Sequence, residues 1–532
     1  MDNGFQRNVF SSKGDGGGLD RREFLTGTAL LGALGMVAPH LLGAGPAMAQ
    51  GSPKAGGTLK LGMAGGATSD SLDPATYTDM VPVTIGYQLM NGLVEIDDQN
   101  QPTPELFTKW EAKPGAAEWI FDVRKGVTFS NGKTLDADDV IYSINLHRGD
   151  TKSPAKPILA DIADIKNIGN NQVQISLASG NADLPYLLAD YHVMVVPNGF
   201  KDWAKPIGTG GYVLESFEPG VRAITRKNPN YWKTGRAHVD AVETLYIKDT
   251  TARTNALLAD QVHVINRLDG RTVDLLKRSP KMQIVRSSAG QHGVLAMNCT
   301  MAPFTDVNVR RAMKHAIDRE KIVATVLNGY GQVGNDQPIP KTNPFYAADV
   351  PQHKYDPDKA KFFLKQAGLS DLKVPIAVSD TAFSGATDTA VLYQTVSGRC
   401  GITLEVKREP ADGYWDNVWL KAPFCASYWL GRPTADQMLT IAYKSDAKWN
   451  ETFWKNETFD KMLASARSEL DTAKRKQTYA ELQRLLSDEG GAIIPVFIDF
   501  LEAGSNKVKG MGPHPGFDFM GYRLPERVWL EG

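Results

Sequence analysis

The chain has few of the residues that most directly announce a chemistry. Only three cysteines occur in 532 residues, Cys299, Cys400 and Cys425. They form no Cys-x-x-Cys pair, which removes a disulfide framework as the organising principle and leaves a structural zinc site unsupported. An odd count also leaves at least one free thiol, and spacing does not say which. Charge of one sign is missing as well. Lys+Arg total 59 against Asp+Glu 60, so the basic surplus of a nucleic-acid binder is absent. The nine histidines include no His-Glu-x-x-His and no close pair. No Gly-x-Ser-x-Gly elbow occurs. Gly126 to Thr134 ends like a phosphate loop in Gly-Lys-Thr, but five residues separate Gly126 from Gly132 where the phosphate cradle requires four. Asn131-Gly132 reads instead as a turn. Asp138-Asp139 falls in a helix first turn, where the dipole accounts for it. The sequence therefore offers no catalytic constellation, no resident metal and no cofactor. With 42% hydrophobic and 22% charged residues, the composition is that of a large globular protein of about three structural units.

Residues 1–49 have the plan of a removable export signal. Arg21-Arg22 precede Phe24-Leu25, a weakly apolar run extends to Leu42, and Ala47-Met48-Ala49 supplies small residues for cleavage near Ala49. The paired arginines resemble the twin-arginine motif, which implies a cargo folded before export and the twin-arginine translocase as a partner. The other reading is a membrane anchor, which three glycines, Pro39 and His40 disfavour within Phe24 to Leu42. The segment carries equal numbers of acidic and basic side chains, so its removal leaves the chain balanced. No later run of about 18 apolar residues occurs. The expectation is a soluble periplasmic protein.

Strand-like and helix-like patterns interleave from residue 57 onward, which implies mixed α/β lobes. Period-two alternation predicts strands at Gly57–Met63, Trp119–Arg124, Val173–Leu177 and Ile402–Val406. Asp136 to His147 predicts a helix capped by Asp136. Val309 to Leu327 predicts one long helix, with Val309, Ala312, Met313, Ala316 and Ile317 on one face. Thr472 to Leu486 predicts another, stopped by Gly490-Gly491. Ile493 to Ile498 reads as a buried strand whose Pro495 places it at a sheet edge or marks its start.

One region is unusually aromatic. Ten rings fall between Tyr414 and Trp454, where the chain-wide 9% predicts about four. Such rings can build a core, or wall a pocket that clasps a small polar solute.

Four stretches carry a resemblance to a known family. Ala117 to His147 reads AEWIFDVRKGVTFSNGKTLDADDVIYSINLH. Pro206 to Tyr212 is a Pro-Ile-Gly-Thr-Gly-Gly-Tyr turn, followed by Asn228-Pro229-Asn230-Tyr231-Trp232. Asn298 to Arg319 reads NCTMAPFTDVNVRRAMKHAIDR, and Tyr355 to Ala360 reads YDPDKA. Together they resemble, in order, the extracellular solute-binding protein family 5, the peptide/opine/nickel receptors of ABC importers. The resemblance runs from about Gly56 to the C-terminus. It implies an α/β, two-lobed periplasmic binding protein clamshell with an inserted third subdomain, type II and cluster C-like. The lobe I segments would be 50–91, 206–294 and the C-terminal return 499–532. The inserted subdomain would be 92–205, and lobe II 295–498. A non-enzymatic receptor is implied, a monomer that closes on its solute and delivers it to an ABC permease in the inner membrane. A hydrolase with a dispersed active site and a ligand sensor for a membrane receptor are the competing classes.

One departure from the family pattern bears on the ligand. Peptide receptors of this family carry an aspartate after a Trp in the second lobe, where it pairs with the peptide α-amine. Here the similar stretch is Trp429-Leu430-Gly431-Arg432-Pro433-Thr434, with a guanidinium in place of the acid. Arg432 is suited to a carboxylate or phosphate. The resemblance as a whole implies a small polar solute such as an opine, an amino-acid conjugate or a short peptide. Arg432 argues against a simple peptide and for a solute with an anionic group, such as an opine, an amino-acid conjugate or an acidic sugar derivative, unless it is paired with Asp436 or another protein acid. By the same resemblance Tyr77 and Met80 follow a loop that lines the cleft, and His292 lies near the lobe crossover. Trp415, Trp419 and Trp429 are the candidate walls.

Overall fold

The computed structural model describes residues 52–531. The expected export signal and its cleavage point lie outside them. Alternation in Thr58–Met63 does what period two demands, turning Leu59 and Leu61 into a core from which water is excluded. This strand lies near the middle of a seven-stranded mixed sheet. The strand order is Met282–Ser287, Phe500–Ser505, Val264–Ile265, Thr58–Met63, Ala241–Tyr246, Arg222–Lys227 and Tyr212–Glu218. The strand Phe500–Ser505, late in the chain, thus returns to the sheet that contains the first strand, Thr58–Met63.

A second sheet has six strands, in the order Gly331–Val333, Ala492–Ile498, His292–Met297, Phe424–Trp429, Leu372–Val378 and Ile402–Arg408. Helices cover both its faces, and separate apolar clusters lie on either side. A third sheet, antiparallel and four-stranded, is formed by Phe107–Ala112, Glu118–Val123, Gln172–Leu177 and Ile162–Asn167. It has its own core, onto which the helix Ala137–Asn145 places Val140 and Ile144. That helix starts at a reciprocal cap. Asp136 accepts from the backbone N–H groups of Asp138 and Asp139, and the Asp139 carboxylate accepts from the Asp136 N–H at 3.0 Å. The Asp138-Asp139 pair is therefore part of a helix start. Asn131-Gly132 forms the expected turn, with Gly132 at φ 87°.

Only two connections join the first and second large sheets. Ser287 leads to His292 through 288–291, and Ile498 leads to Phe500 through Asp499. They are tied together, since Arg286 pairs with the Asp499 carboxylate and the Ser288 hydroxyl donates to it at 2.9 Å. Gln291 O also accepts from Ile498 N at 2.8 Å.

Two local expectations need correction. The predicted helix from Val309 to Leu327 is two helices, Val307–His315 and Arg319–Thr325, because Asp318 accepts from the Lys321 N–H and starts a new helix. The strand Ala492–Ile498 is interior, paired on one side to Gly331–Val333 and on the other to His292–Met297. Pro495 is tolerated there because the ladder to His292–Met297 slips between Gly293 and Leu295, so that no partner carbonyl awaits a proline N–H.

Candidate functional site

A cavity of about 340 Å³ opens between the bodies built on these sheets, within the size range of small-molecule sites. Three stretches supply its walls. The first is Tyr186 and Asp190 to His192, at and beyond the short helix Leu184–Leu187. The second is the C-terminal loop 514–523. The third is Leu430 to Pro433, which leaves the end of strand Phe424–Trp429. Gln437 and Trp449 are among the further residues that line it on the six-stranded side.

The aromatic face comes from Tyr191, Phe517 and Tyr522. Phe517 and Tyr522 are stacked with centroids 4.9 Å apart, and Tyr191 meets both edge-on at 6.1 Å. The chain brings Phe517 back beneath Tyr522 by a left-handed turn, in which Phe519, Met520 and Tyr522 have φ of 49°, 55° and 66°. A non-glycine residue pays conformational energy there, of order 1 kcal/mol or more each, and the surroundings must impose it. Behind the turn lie two buried acids. Glu502 accepts from the Phe519 N–H at 2.6 Å, while both Asp518 oxygens are buried without a partner. Burial pushes Asp518 up to about 7 and raises Glu502 well above the carboxylate range, with Asp518 adding repulsion.

Most charged groups at the cavity are already engaged. Arg523 donates to both oxygens of Glu105 at 2.7 and 2.6 Å, and its guanidinium lies 4.0 Å from the Tyr87 ring centroid. His514 faces Ile96 O at 3.3 Å, and burial lowers its pKa to about 4. Arg432 differs. Its Nη1 makes long contacts to the carbonyls of Leu430 at 3.2 Å and Gly431 at 3.4 Å, and its guanidinium lies 5.7 Å from the Trp429 ring centroid. No acid pairs with it among the described residues. Asp436, the alternative partner, is held by Arg467 at 3.0 Å. Burial depresses the Arg432 pKa, while Tyr191 and Asp190 oppose that shift.

Of the seven residues expected at the site, only Arg432 lines this cavity. Tyr77 is fully buried in the core of the seven-stranded sheet, with its hydroxyl donating to Leu72 O. Met80 is in the same core, its sulfur accepting from Asn266 Nδ2 at 3.0 Å. His292 is buried in its strand, its Nδ1 donating to Gly290 O at 2.8 Å and its Nε2 without a partner. Burial lowers its pKa to about 4. Trp419 and Trp429 turn their polar edges to one protein carboxylate, Glu451, at 2.6 and 3.0 Å. Two indole N–H groups drawn into the interior need an acceptor, and Glu451 supplies it. Trp415 is half-exposed, edge-on to Trp419. The aromatic concentration thus builds largely core and surface, and only Trp449 from it reaches the cavity. The aromatic pair Phe517 and Tyr522 had one weak signal, the glycines at 510, 512, 516 and 521 around it. Asp190 and Tyr191 had none.

Among the described residues no helix is long and apolar enough to cross a membrane. Residues 101–451 match the model of the bacterial extracellular solute-binding proteins, family 5 Middle. The chain is 24% identical over 470 residues to the dipeptide-binding protein of Escherichia coli K12, covering 79% of this chain and 86% of that one. It is 23% identical to the glutathione-binding protein GsiB of Shigella flexneri, over 85% of this chain and 92% of that protein. Among solved structures, the periplasmic binding protein AgaA from A. tumefaciens R10, in complex with agropinic acid, superposes with a TM-score of 0.73 at 23% identity. The alignment covers 90% of this chain and 99% of AgaA. HbpA2 from Haemophilus parasuis reaches 0.79 at 21% identity, over 90% of this chain and 100% of that one. These likenesses show a type II periplasmic-binding-protein fold.

Proposed function

The chain belongs to the bacterial extracellular solute-binding proteins, family 5, and from that premise we propose that it is the extracytoplasmic receptor of an ABC importer for a small anionic solute. The relatives' recorded ligands, a dipeptide, glutathione and agropinic acid, all offer carboxylates. The observation that carries the anion is Arg432, a guanidinium turned to an aromatic cavity without an acid to neutralise it. Arg432 is half-buried at the cavity wall and makes no direct ion pair among the described residues, and a carboxylate from the solute would supply both charge and a planar acceptor pair. An opine or other amino-acid conjugate fits the cavity volume, and the stacked Phe517 and Tyr522 would cover its apolar part.

In this reading 50–91, 206–294 and 499–532 form one lobe, 92–205 its insert and 295–498 the second lobe. The paired connections at 288–291 and Asp499 act as the hinge, and the solute adds free energy to the closed form alone. Binding, not turnover, is the proposed role, with export by the twin-arginine translocase and cleavage near Ala49. Mass spectrometry of solute released from the purified protein should find a carboxylate or other anion. Calorimetry with that solute should show affinity falling at least tenfold in Arg432→Gln. An unchanged affinity would refute the assignment of Arg432, and recovery of chemically altered solute would refute the receptor role.

A further inference from the structure

The geometry points to Asp190 as a second specificity residue, which selects solutes carrying a protonated nitrogen beside their anion. The inference rests on the receptor reading above and narrows its ligand to a zwitterion.

Asp190 and Arg432 line the same cavity from opposite bodies, one beyond helix Leu184–Leu187 and the other beyond strand Phe424–Trp429. Only one oxygen of Asp190 is engaged. Oδ1 accepts from the His192 N–H at 3.0 Å and faces His192 Nδ1 at 2.6 Å. His192 is fixed in turn, its Nε2 facing Tyr77 O at 2.9 Å. Oδ2 has no protein partner, and the side chain keeps 13% of its exposure. The carboxylate is therefore aimed by its own loop and presents one free oxygen.

Opposite charges on facing walls would ordinarily close on each other. Here Asp190 and Arg432 form no ion pair. A solute in the cavity they both line could satisfy both, its carboxylate on Arg432 and an ammonium or secondary ammonium on Asp190 Oδ2. Gln437 adds a buried carbonyl oxygen, Oε1, that lacks a partner on the same wall as Arg432. It is an acceptor, so it too calls for a donor on the solute. A simple anion would satisfy Arg432 and leave Asp190 Oδ2 and Gln437 Oε1 without a donor. A zwitterion also joins the two bodies through its own length, which would make closure depend on both ends being present.

The test uses matched probes on the full mature protein, by thermal shift and calorimetry. The parents are an N-(1-carboxyethyl) amino acid and a dipeptide. Each is compared with its N-acetyl form, which lacks the cation, and its carboxamide form, which lacks the anion. At least one parent should bind at least tenfold more tightly than both of its derivatives. Asp190→Asn, which retains the acceptor for the His192 N–H, should erase the preference over the N-acetyl form, and Arg432→Gln the preference over the carboxamide. Equal binding of parent and N-acetyl probes to the unaltered protein would overturn the role of Asp190 and need no variant to show it. If the N-acetyl anions bind through Arg432, the anion reading survives and the zwitterion does not. If no parent binds, or if only carboxamides do, both are refuted.

Discussion

Asp183→Asn changes one carboxylate to an amide where the body carrying the four-stranded sheet touches the body carrying the six-stranded sheet. Asp183 Oδ1 accepts from Arg475 Nη2 at 2.6 Å, with the two side chains 1% and 8% exposed. Arg475 is held in place from its own side. Its Nε donates to Ala466 O at 3.2 Å, and its guanidinium lies 4.8 Å from the Phe345 ring centroid. The backbone repeats the contact beside it, Ala182 N donating to Arg467 O at 2.8 Å. Removing one member of a buried pair costs about 3–5 kcal/mol when the other charge is left stranded. If the two bodies part on release of solute, Arg475 regains water in the open form. The closed form then loses only a charged hydrogen bond, about 1.5–3 kcal/mol. The expected result is a solute affinity lower by about 10- to 150-fold, with the melting temperature of the solute-free protein little changed. Calorimetry and thermal denaturation read the two quantities separately. A melting temperature that falls without any change in affinity would show that the contact persists in the open form. No change in either would refute the claim that this pair contributes to closure.

Two further predictions concern the floor of the cavity. Asp518 is raised by burial to about 7 from an ordinary 3.8, so the folded form holds a proton that the unfolded chain releases. Its contribution to stability is present below about pH 4 and is lost as pH rises toward 7, at up to about 1.4 kcal/mol per pH unit. Asp518→Asn should flatten that decline, leaving the variant more stable than the parent at about pH 8; denaturant unfolding at pH 5 and pH 8 checks it, and parallel pH profiles would refute it. Gly431→Ala would place a Cβ 2.8 Å from the Gly290 Cα, where two backbones meet at the cavity beside a hinge connection. Displacing either segment shifts Arg432, so solute affinity should fall at least tenfold with about 1–3 kcal/mol of destabilisation. Retention of full affinity would show that the contact is not needed to aim the guanidinium.

Element starts and turns were legible because their causes act over a few residues. Asp136 accepts from backbone N–H groups of the turn that follows, and that chemistry is written in adjacent positions. The alternation of Thr58–Met63 and Gln172–Leu177 likewise follows from side chains pointing to opposite faces. Where long-range pairing intervened, local reading failed. Pro495 looked like an edge residue until a slipped ladder gave it an interior seat. Trp419 and Trp429 looked like pocket walls, and only the fold brought Glu451 between them.

For the site, the chain's own order of residues determined the family resemblance, the α/β class and the presence of Arg432 in the stretch Trp429 to Thr434. Tertiary structure decided that Asp436 is taken by Arg467, and that Asp190, Tyr191, Phe517 and Tyr522 face Arg432 across one cavity. Asp190 and Tyr191 lie more than 200 positions before Arg432, and Phe517 and Tyr522 lie 85 and 90 positions after it. Their meeting depends on how three sheets and two connections pack, and no short stretch of sequence encodes that distance.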